Sequence, residues 1–98
     1  MYTEGVNFVW DPKKEKSNIQ KHGISFAEAV TVFYDPLAKI TSDPDHSAAE
    51  DRHILIGHSQ KSRLLFVVHI FRNEDDTVRI VSARKATRKE TKDFQETK

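Results

Sequence analysis

The sequence predicts an α+β fold with a small, mainly antiparallel sheet of four or five strands, two N-terminal helices and one C-terminal helix. Three observations support this prediction: helix start and stop signals between residues 11 and 36, three apolar runs with short connections between residues 52 and 83, and a polar segment after residue 86. The length of 98 residues is near the size at which a single hydrophobic core can just stand alone. We therefore expect residues 1–98 to form one domain.

The first two elements are a short strand and a helix. The apolar run Val6–Trp10 predicts the strand. Asp11-Pro12 then supplies an N-cap acid and a proline at the first helical position, and Gly23 is the residue type that commonly follows a helix. These signals predict a first helix over Pro12–His22.

A second helix follows directly. Ser25 and Glu28 have the spacing of a capping box, in which the serine accepts a hydrogen bond from a backbone N–H and the glutamate reaches back to the N-cap residue. Apolar residues recur at helical spacing after the serine, and Asp35-Pro36 ends the helix because the residue before a proline disfavours the α conformation. We expect Trp10 and Phe33 to lie in the core.

Four further segments predict strands: Leu37–Thr41, Arg52–Ser59, Arg63–Arg72 and Thr77–Ala83. The connections between the last three are short, so we expect these strands to form an antiparallel meander. Arg63–Arg72 is apolar on both faces, which predicts a central strand that is covered on both sides. Its histidine, His69, is expected to be a hydrogen-bonded core residue.

The C-terminal segment is polar. Its pattern predicts a helix over Ala86–Lys98 in which Phe94 is the only large apolar residue. Such a helix has too little apolar surface to belong to the core, so we expect it to dock on a partner or to fray.

The composition excludes several classes of protein. There are no cysteines, which excludes disulfides, cysteine-based zinc sites and cysteine nucleophiles. The longest apolar stretch, Leu64–Val68, is far shorter than the roughly 20 residues of a membrane span, and the N-terminus lacks the pattern of a secretory signal. Five histidines lie on separate elements or, like His53 and His58, on opposite faces of one strand, so no metal site is predicted. We expect a cytoplasmic protein without a cofactor.

The net charge of +1 conceals an uneven distribution. Residues 35–51 contain five acids and one lysine, whereas residues 52–73 contain four bases and no acid. Residues 79–98 contain seven bases and three acids. The basic segments are suited to a polyanion, and the acidic segment can repel one or dock a basic partner. A solvated surface without any ligand explains the same counts equally well.

Basic side chains at strand and helix ends are the candidates for a functional site. Arginine there presents a planar fork that matches phosphate oxygens. Cleavage of RNA requires a base for the ribose 2′-OH, an acid for the leaving 5′-oxygen, and cations that stabilise the transition state. On these grounds the candidate catalytic residues are His22, Glu50, Arg52, Arg79 and Arg84, and the candidate RNA-binding residues are Lys21, Arg63 and Lys85. Either Glu50 or His22 can act as base or acid, and surface salt bridges are the alternative interpretation.

Seven short motifs occur in order between about residue 6 and residue 94. They are Phe8-Val-Trp-Asp-Pro12, Asn18-x-x-Lys-His-Gly23, Phe26-Ala-Glu-Ala29, Val32-Phe-Tyr-Asp-Pro36, Glu50-Asp-Arg52, Ile56-Gly57 and Arg79-Ile-Val-Ser-Ala-Arg84-Lys-Ala. In order and spacing they resemble the BrnT toxins, the toxin half of type II toxin–antitoxin systems of the BrnT/BrnA kind. The polar signatures of that family fall on Lys21, His22, Glu50, Arg52, Arg79 and Arg84, and this set overlaps the one reached from charge and strand ends.

The resemblance implies a RelE-like α+β fold and a metal-independent endoribonuclease that arrests translation. It also implies neutralisation by a ribbon-helix-helix, BrnA-like antitoxin in a complex of two toxin and two antitoxin chains. That complex is expected to bind its own operator DNA through the antitoxin. We expect the antitoxin to contact the C-terminal helix and the acidic loop over residues 43–51.

A non-catalytic module that binds a protein or a nucleic acid is the alternative function. Readers of single-stranded RNA commonly stack bases on aromatic side chains, and the exposed candidates are Tyr2, Tyr34 and Phe71. Most other aromatic residues are expected in the core. We therefore expect weak sequence preference, and an RNA affinity that comes largely from phosphate contacts and depends strongly on salt.

Overall fold

The computed structural model describes residues 4–43 and 51–96. Within these ranges the elements are the strands β1 (Asn7–Val9), β2 (Lys39–Ser42), β3 (Arg52–His58), β4 (Leu64–Arg72) and β5 (Thr77–Lys85), and the helices α1 (Pro12–His22), α2 (Phe26–Thr31) and α3 (Arg88–Glu96). Short 3₁₀ turns follow α2 at Val32–Tyr34 and β4 at Asn73–Asp75. The α+β prediction is confirmed.

The five strands form one sheet in the order β1-β5-β4-β3-β2. β3, β4 and β5 pair as the expected antiparallel meander, and β2 adds to β3 in the same sense. β1 lies parallel to β5 and pairs with it only over residues 77–79, so the sheet is mixed. This short pairing leaves the rest of that edge of β5 to be covered by helix α1.

The bounds of α1 agree with the prediction because the residues that begin and end the helix act through contacts with their near neighbours in the sequence. The Asp11 carboxylate accepts a hydrogen bond from the Lys13 N–H at 2.8 Å, and Pro12 is the first helical residue. Gly23 ends the helix at φ 71°, in the left-handed region that glycine enters without steric cost.

The core lies on one face of the sheet, where the two N-terminal helices pack. Its fully buried members are Ile24, Phe26, Ala29, Val32, Phe33, Leu55, Leu65, Val67, Val78, Ile80 and Ala83. Phe33 is therefore a core residue as expected, whereas Trp10 is half-buried against the core. The opposite face of β4 is only half-buried, so the expectation of a strand covered on both sides holds for one side. The reason is that α3, which approaches this face, is short and has no buried residue.

His69 is fully buried, as expected from its place in an apolar strand. Its ring meets Phe33 edge to face at 4.9 Å between centroids, and His53 lies opposite it on β3. Burial lowers the pKa of His69 to about 4, with a smaller contribution from the nearby His53 that acts in the same direction. The imidazole is therefore neutral at physiological pH.

The predicted capping box at Ser25 and Glu28 forms only in part, and a complete one occurs elsewhere. Ser25 accepts a hydrogen bond from the Glu28 N–H at 3.0 Å, but the Glu28 carboxylate binds Ser59 and Arg63 instead of reaching back. A complete capping box forms at α3, where Thr87 and Glu90 exchange hydrogen bonds of 2.9 and 3.1 Å.

Candidate functional site

Two adjoining grooves lie between α1 and the half-buried face of the sheet. The α1 groove, of about 430 Å³, is lined by Lys13, Lys14, Ser17, Asn18, Lys21, His22, Val81 and Ser82. The strand groove, of about 420 Å³, is lined by Lys14, Arg52, Ile70, Arg72, Arg79 and Val81. Lys14 and Val81 line both, so the two form a continuous depression. Among the described residues no acid lines either groove.

Strand register brings the arginines of the strand groove together. Arg52 on β3 and Arg79 on β5 both pair with Ile70 on the intervening strand β4, so all three side chains project from one face. Two strand spacings place the backbones of the two arginines about 10 Å apart. Arg72 lies two residues beyond Ile70 and projects from the same face. The register thus gathers three guanidinium-bearing side chains on one face, an arrangement suited to an anionic ligand.

The side chain of Asn18 fixes α1 beside this face. Its amide donates to the carbonyls of Ala83 and Ile24 at 2.7 and 2.8 Å, and its oxygen accepts from the Ala83 N–H at 3.1 Å. The buried amide thus provides hydrogen-bond partners for backbone groups of β5 that β1 does not reach. Lys14 and Lys21 lie one helical turn before and after Asn18, on the same face of α1, and so flank β5.

Four of the predicted site residues meet in these grooves: Lys21, His22, Arg52 and Arg79. Glu50 lies outside the described residues. Lys85 is exposed at the end of β5 and lines neither groove. Sequence reasoning missed three cations that do, Lys13, Lys14 and Arg72. The spacing of Lys14, Asn18 and Lys21 on one helix face was the available signal for the second of these.

Arg63 binds an acid on a helix outside the grooves. Its Nε donates to Oε2 of Glu28 at 2.9 Å, and a second guanidinium nitrogen pairs with Oε1. Glu28 is almost fully buried and also accepts a hydrogen bond from the Ser59 hydroxyl at 2.7 Å. The hydrogen bond from Arg63 holds the pKa of Glu28 below its ordinary value, against the opposing effect of burial. These contacts connect α2 to the start of β4.

Arg84 forms a similar bidentate pair with Glu90 on α3. The two guanidinium nitrogens donate to the two carboxylate oxygens at 2.8 and 2.9 Å, and the guanidinium stacks on the Phe66 ring at 3.9 Å from its centroid. The hydrogen bonds from Arg84 hold the pKa of Glu90 below its ordinary value. Arg84 therefore lies on the half-buried face of the sheet but outside both grooves, and in this arrangement it attaches α3 to the sheet.

A third depression lies at the other end of β3. It has a volume of about 650 Å³ and is lined by Pro36, Leu37, Lys39, His58, Phe94 and Gln95, so its wall is mostly apolar. His58 comes six positions after Arg52 on β3, which places this depression about 20 Å from the strand groove. Phe94 packs here against the Lys39 ammonium, at 5.0 Å, and the His58 ring, at 5.8 Å between centroids. The C-terminal helix therefore docks on its own sheet.

The described residues, 4–43 and 51–96, were compared with the features of a membrane-spanning helix and of a metal site. No helix among them combines the length and the apolar character of a membrane span. No three histidine or acidic side chains among them converge as a set of metal ligands would.

Comparison with known proteins identifies the family. The sequence model of the family described as "Ribonuclease toxin, BrnT, of type II toxin-antitoxin system" matches residues 10–90. The chain belongs to the BrnT family. A BrnT-family chain is a ribonuclease toxin, and its type II system implies a cognate antitoxin.

A crystal structure shows the same fold. The ribonuclease toxin BrnT of Brucella abortus superposes with a TM-score of 0.66 and 24% sequence identity, over 85% of this chain and 99% of that chain. At this identity the match supports the fold, and the family assignment depends on the sequence model. No curated protein sequence matches the chain.

Proposed function

We propose that this BrnT-family toxin is an endoribonuclease that cleaves RNA by attack of a ribose 2′-OH, without a metal ion, and thereby inhibits translation. The observation that carries the proposal is the continuous basic depression formed by the α1 groove and the strand groove. It gathers four of the residues expected from the sequence, Lys21, His22, Arg52 and Arg79, and adds further cations without an acid among the described lining residues.

The chemistry needs few groups. A base removes the 2′-OH proton, the resulting oxygen attacks the adjacent phosphorus, and the bond from phosphorus to the 5′-oxygen breaks. An acid protonates that 5′-oxygen, so the products are a 2′,3′-cyclic phosphate and a 5′-hydroxyl. The additional negative charge on the phosphoryl oxygens is stabilised by arginines fixed on the strands, because preorganised cations need no reorganisation during the reaction.

Two residues are proposed for proton transfer. His22 lies in the α1 groove, and an imidazole can both accept and donate a proton near neutral pH. Glu50 precedes Arg52 by two residues in the sequence and is the other proposed base or acid. Arg52 and Arg79 are proposed to stabilise the transition state, and Lys21 to bind the RNA backbone. The catalytic role of Arg84 and the RNA-binding roles of Arg63 and Lys85 remain predictions, and none of the three residues lines either groove.

The antitoxin is proposed to be a ribbon-helix-helix protein. Such proteins dimerise, which gives a complex of two toxin and two antitoxin chains and a DNA-binding unit for the operator. Inhibition requires that the RNA path be blocked, so the antitoxin is expected to cover the basic depression or a surface that adjoins it. The expected contact with the acidic loop falls largely on residues 44–50, outside the described residues.

Incubation of the purified toxin with ribosome-free RNA in EDTA tests the proposal. Cleavage that leaves 2′,3′-cyclic phosphate and 5′-hydroxyl ends is the expected result. Replacement of the 2′-OH by 2′-O-methyl at the cut site should abolish cleavage because it removes the nucleophile. Comparison of His22→Gln with Glu50→Gln identifies the base, because only loss of the base should remove the acidic limb of the pH–rate profile, on which the rate falls as the base becomes protonated.

Three outcomes contradict parts of the proposal. Cleavage that appears only when Mg²⁺ is restored would refute metal independence. Products with 3′-hydroxyl ends would refute attack by the 2′-OH. RNA binding without cleavage, both on free RNA and on translating ribosomes, would favour the non-catalytic binding module.

A further inference from the structure

The two grooves carry separate sets of cations. Lys13, Lys21 and His22 line only the α1 groove, whereas Arg52, Arg72 and Arg79 line only the strand groove. Lys14, at the junction, is the one cation in the lining of both. Each groove has a volume of roughly 420–430 Å³, which is within the range of small-ligand sites rather than that of a single bound ion.

The dimensions of the depression exceed the reach of one phosphate. Lys13 and Lys21 are eight residues apart on α1, so their backbones are separated by about 12 Å along the helix axis. The strand groove extends across three strands, from Arg52 to Arg79, over about 10 Å. A single phosphate in either groove is too small to contact the cations that line only the other groove.

The floor of the depression favours a polymer that continues from one groove into the next. Val81 and Ser82 are half-buried and lie between the basic walls, so the path from one groove to the other has a small, uncharged floor. A nucleic acid strand presents evenly spaced phosphates, and proteins that bind single strands follow the backbone with a positively charged groove.

We propose that the α1 groove and the strand groove bind two successive phosphates of one RNA strand, so that the smallest substrate that uses the full site is a trinucleotide. This inference depends on the proposed function, because it assigns RNA as the ligand of the depression. One groove holds the phosphate that is cleaved. The other holds its neighbour and contributes to affinity for the strand without touching the reacting atoms.

Binding of a 2′-O-methyl trinucleotide tests the two-phosphate footprint. This ligand has two phosphates and no nucleophile, so its affinity is measured without cleavage. Each phosphate in turn is replaced by a neutral methylphosphonate. Because a charge-assisted contact is lost in each case, we expect either replacement to weaken binding to the parent protein about tenfold.

Two variants assign the contacts, and one serves as a control. Lys13→Ala alters only the α1 groove, and Arg72→Ala only the strand groove. In each variant one groove has lost a cation. The methylphosphonate at the phosphate bound in that groove should therefore weaken binding only threefold or less. Arg88 is exposed on α3 and lines neither groove, so Arg88→Ala should keep the tenfold loss.

The inference is overturned if the methylphosphonates leave the affinity of the parent protein unchanged, or if their effect persists undiminished in both groove variants. The first result would mean that fewer than two phosphates are bound, and the second that they are bound elsewhere. Either result would refute the two-phosphate footprint. If the protein still cleaves longer RNA, the proposed ribonuclease activity is not refuted. The expected binding pattern in a protein that never cleaves RNA would refute the activity but not the footprint.

Discussion

Asn18 on α1 and Ala83 on β5 form two hydrogen bonds, of 2.7 and 3.1 Å, through the side-chain amide of one and the backbone of the other. The pair replaces a missing strand at this edge of the sheet and places the lysines of α1 beside β5. The position of the candidate site therefore depends on a buried, uncharged residue of the α1 groove and not only on the cations of the site.

Replacement of Asn18 is expected to lower the stability of the protein. Asn18→Ala leaves the backbone groups of Ala83 and the Ile24 carbonyl without these hydrogen bonds. We expect a loss of about 3 kcal/mol in the free energy of unfolding, measured by urea denaturation. Gln20→Ala, at an exposed position on the same helix, is the matched control and should change it by less than about 0.5 kcal/mol. Equal behaviour of the two variants would refute the role of Asn18.

Arg63 is expected to matter for folding because its partner is buried. Arg63→Ala leaves the Glu28 carboxylate without its guanidinium in an almost fully buried position, which should lower the free energy of unfolding, because a buried carboxylate without its partner is destabilising. The double variant with Glu28→Gln removes the uncompensated charge and should recover part of that loss. Thermal denaturation of the two proteins measures the difference. A loss in Arg63→Ala below about 0.5 kcal/mol would contradict this account.

Two variants separate a structural role of Arg84, the attachment of α3 through Glu90, from a catalytic role of Arg84. Both residues are partly exposed, so we expect Glu90→Gln to lower the free energy of unfolding by at most about 1 kcal/mol. Arg84→Ala also removes the stack on Phe66 and should lower it somewhat more. RNA cleavage is then measured for both variants under conditions in which both are folded. A loss of cleavage in Arg84→Ala alone would assign Arg84 to catalysis, as the sequence predicts. Unchanged stability in both variants would contradict the role of this pair in attaching α3 to the sheet.

His69 should make stability depend on pH in mildly acidic solution. Its folded pKa is about 4 and the ordinary value is 6.5, so between these values the unfolded chain binds a proton that the folded protein does not. The free energy of unfolding should therefore fall as the pH decreases from 6.5 to 4, by about 3 kcal/mol in total.

Urea denaturation at intervals from pH 7 to pH 4 checks this slope. Glu28 and Glu90 have lowered pKa values, so the stability that they contribute is lost only as the pH falls below 4.5. The slope above pH 5 is thus expected from His69, and His69→Gln should reduce it. A variant with the slope of the parent protein would refute the assignment.

Elements governed by local signals were predictable from the sequence. The bounds of α1 follow from Asp11-Pro12 and Gly23, whose effects act within a few residues. The meander of β3, β4 and β5 follows from short connections. The parallel pairing of β1 with β5 was not predictable, because it joins segments separated by about 70 residues and depends on how the sheet closes.

The site was predictable in its charges but not in its pairings. Arg52 and Arg79 were expected from strand ends, and the register brings them to one groove. The partners of Arg63 and Arg84 were not foreseen, because Glu28 was interpreted as a capping residue and Glu90 was counted only as one acid of the C-terminal segment. Arg72 shares a face with Ile70 because the two are two residues apart on one strand, but only the register between strands brings Arg72 beside Arg52 and Arg79.

The central claim is that the basic depression is the catalytic site, and the cleavage rate of Arg79→Ala tests it most directly. Arg79 is exposed, so its replacement should leave the free energy of unfolding within about 0.5 kcal/mol of the parent value. Loss of a preorganised cation at the reacting phosphate should reduce cleavage of RNA by about a hundredfold or more, whereas Arg88→Ala should retain the parent rate. A folded Arg79→Ala protein that cleaves within threefold of the parent rate would contradict the account.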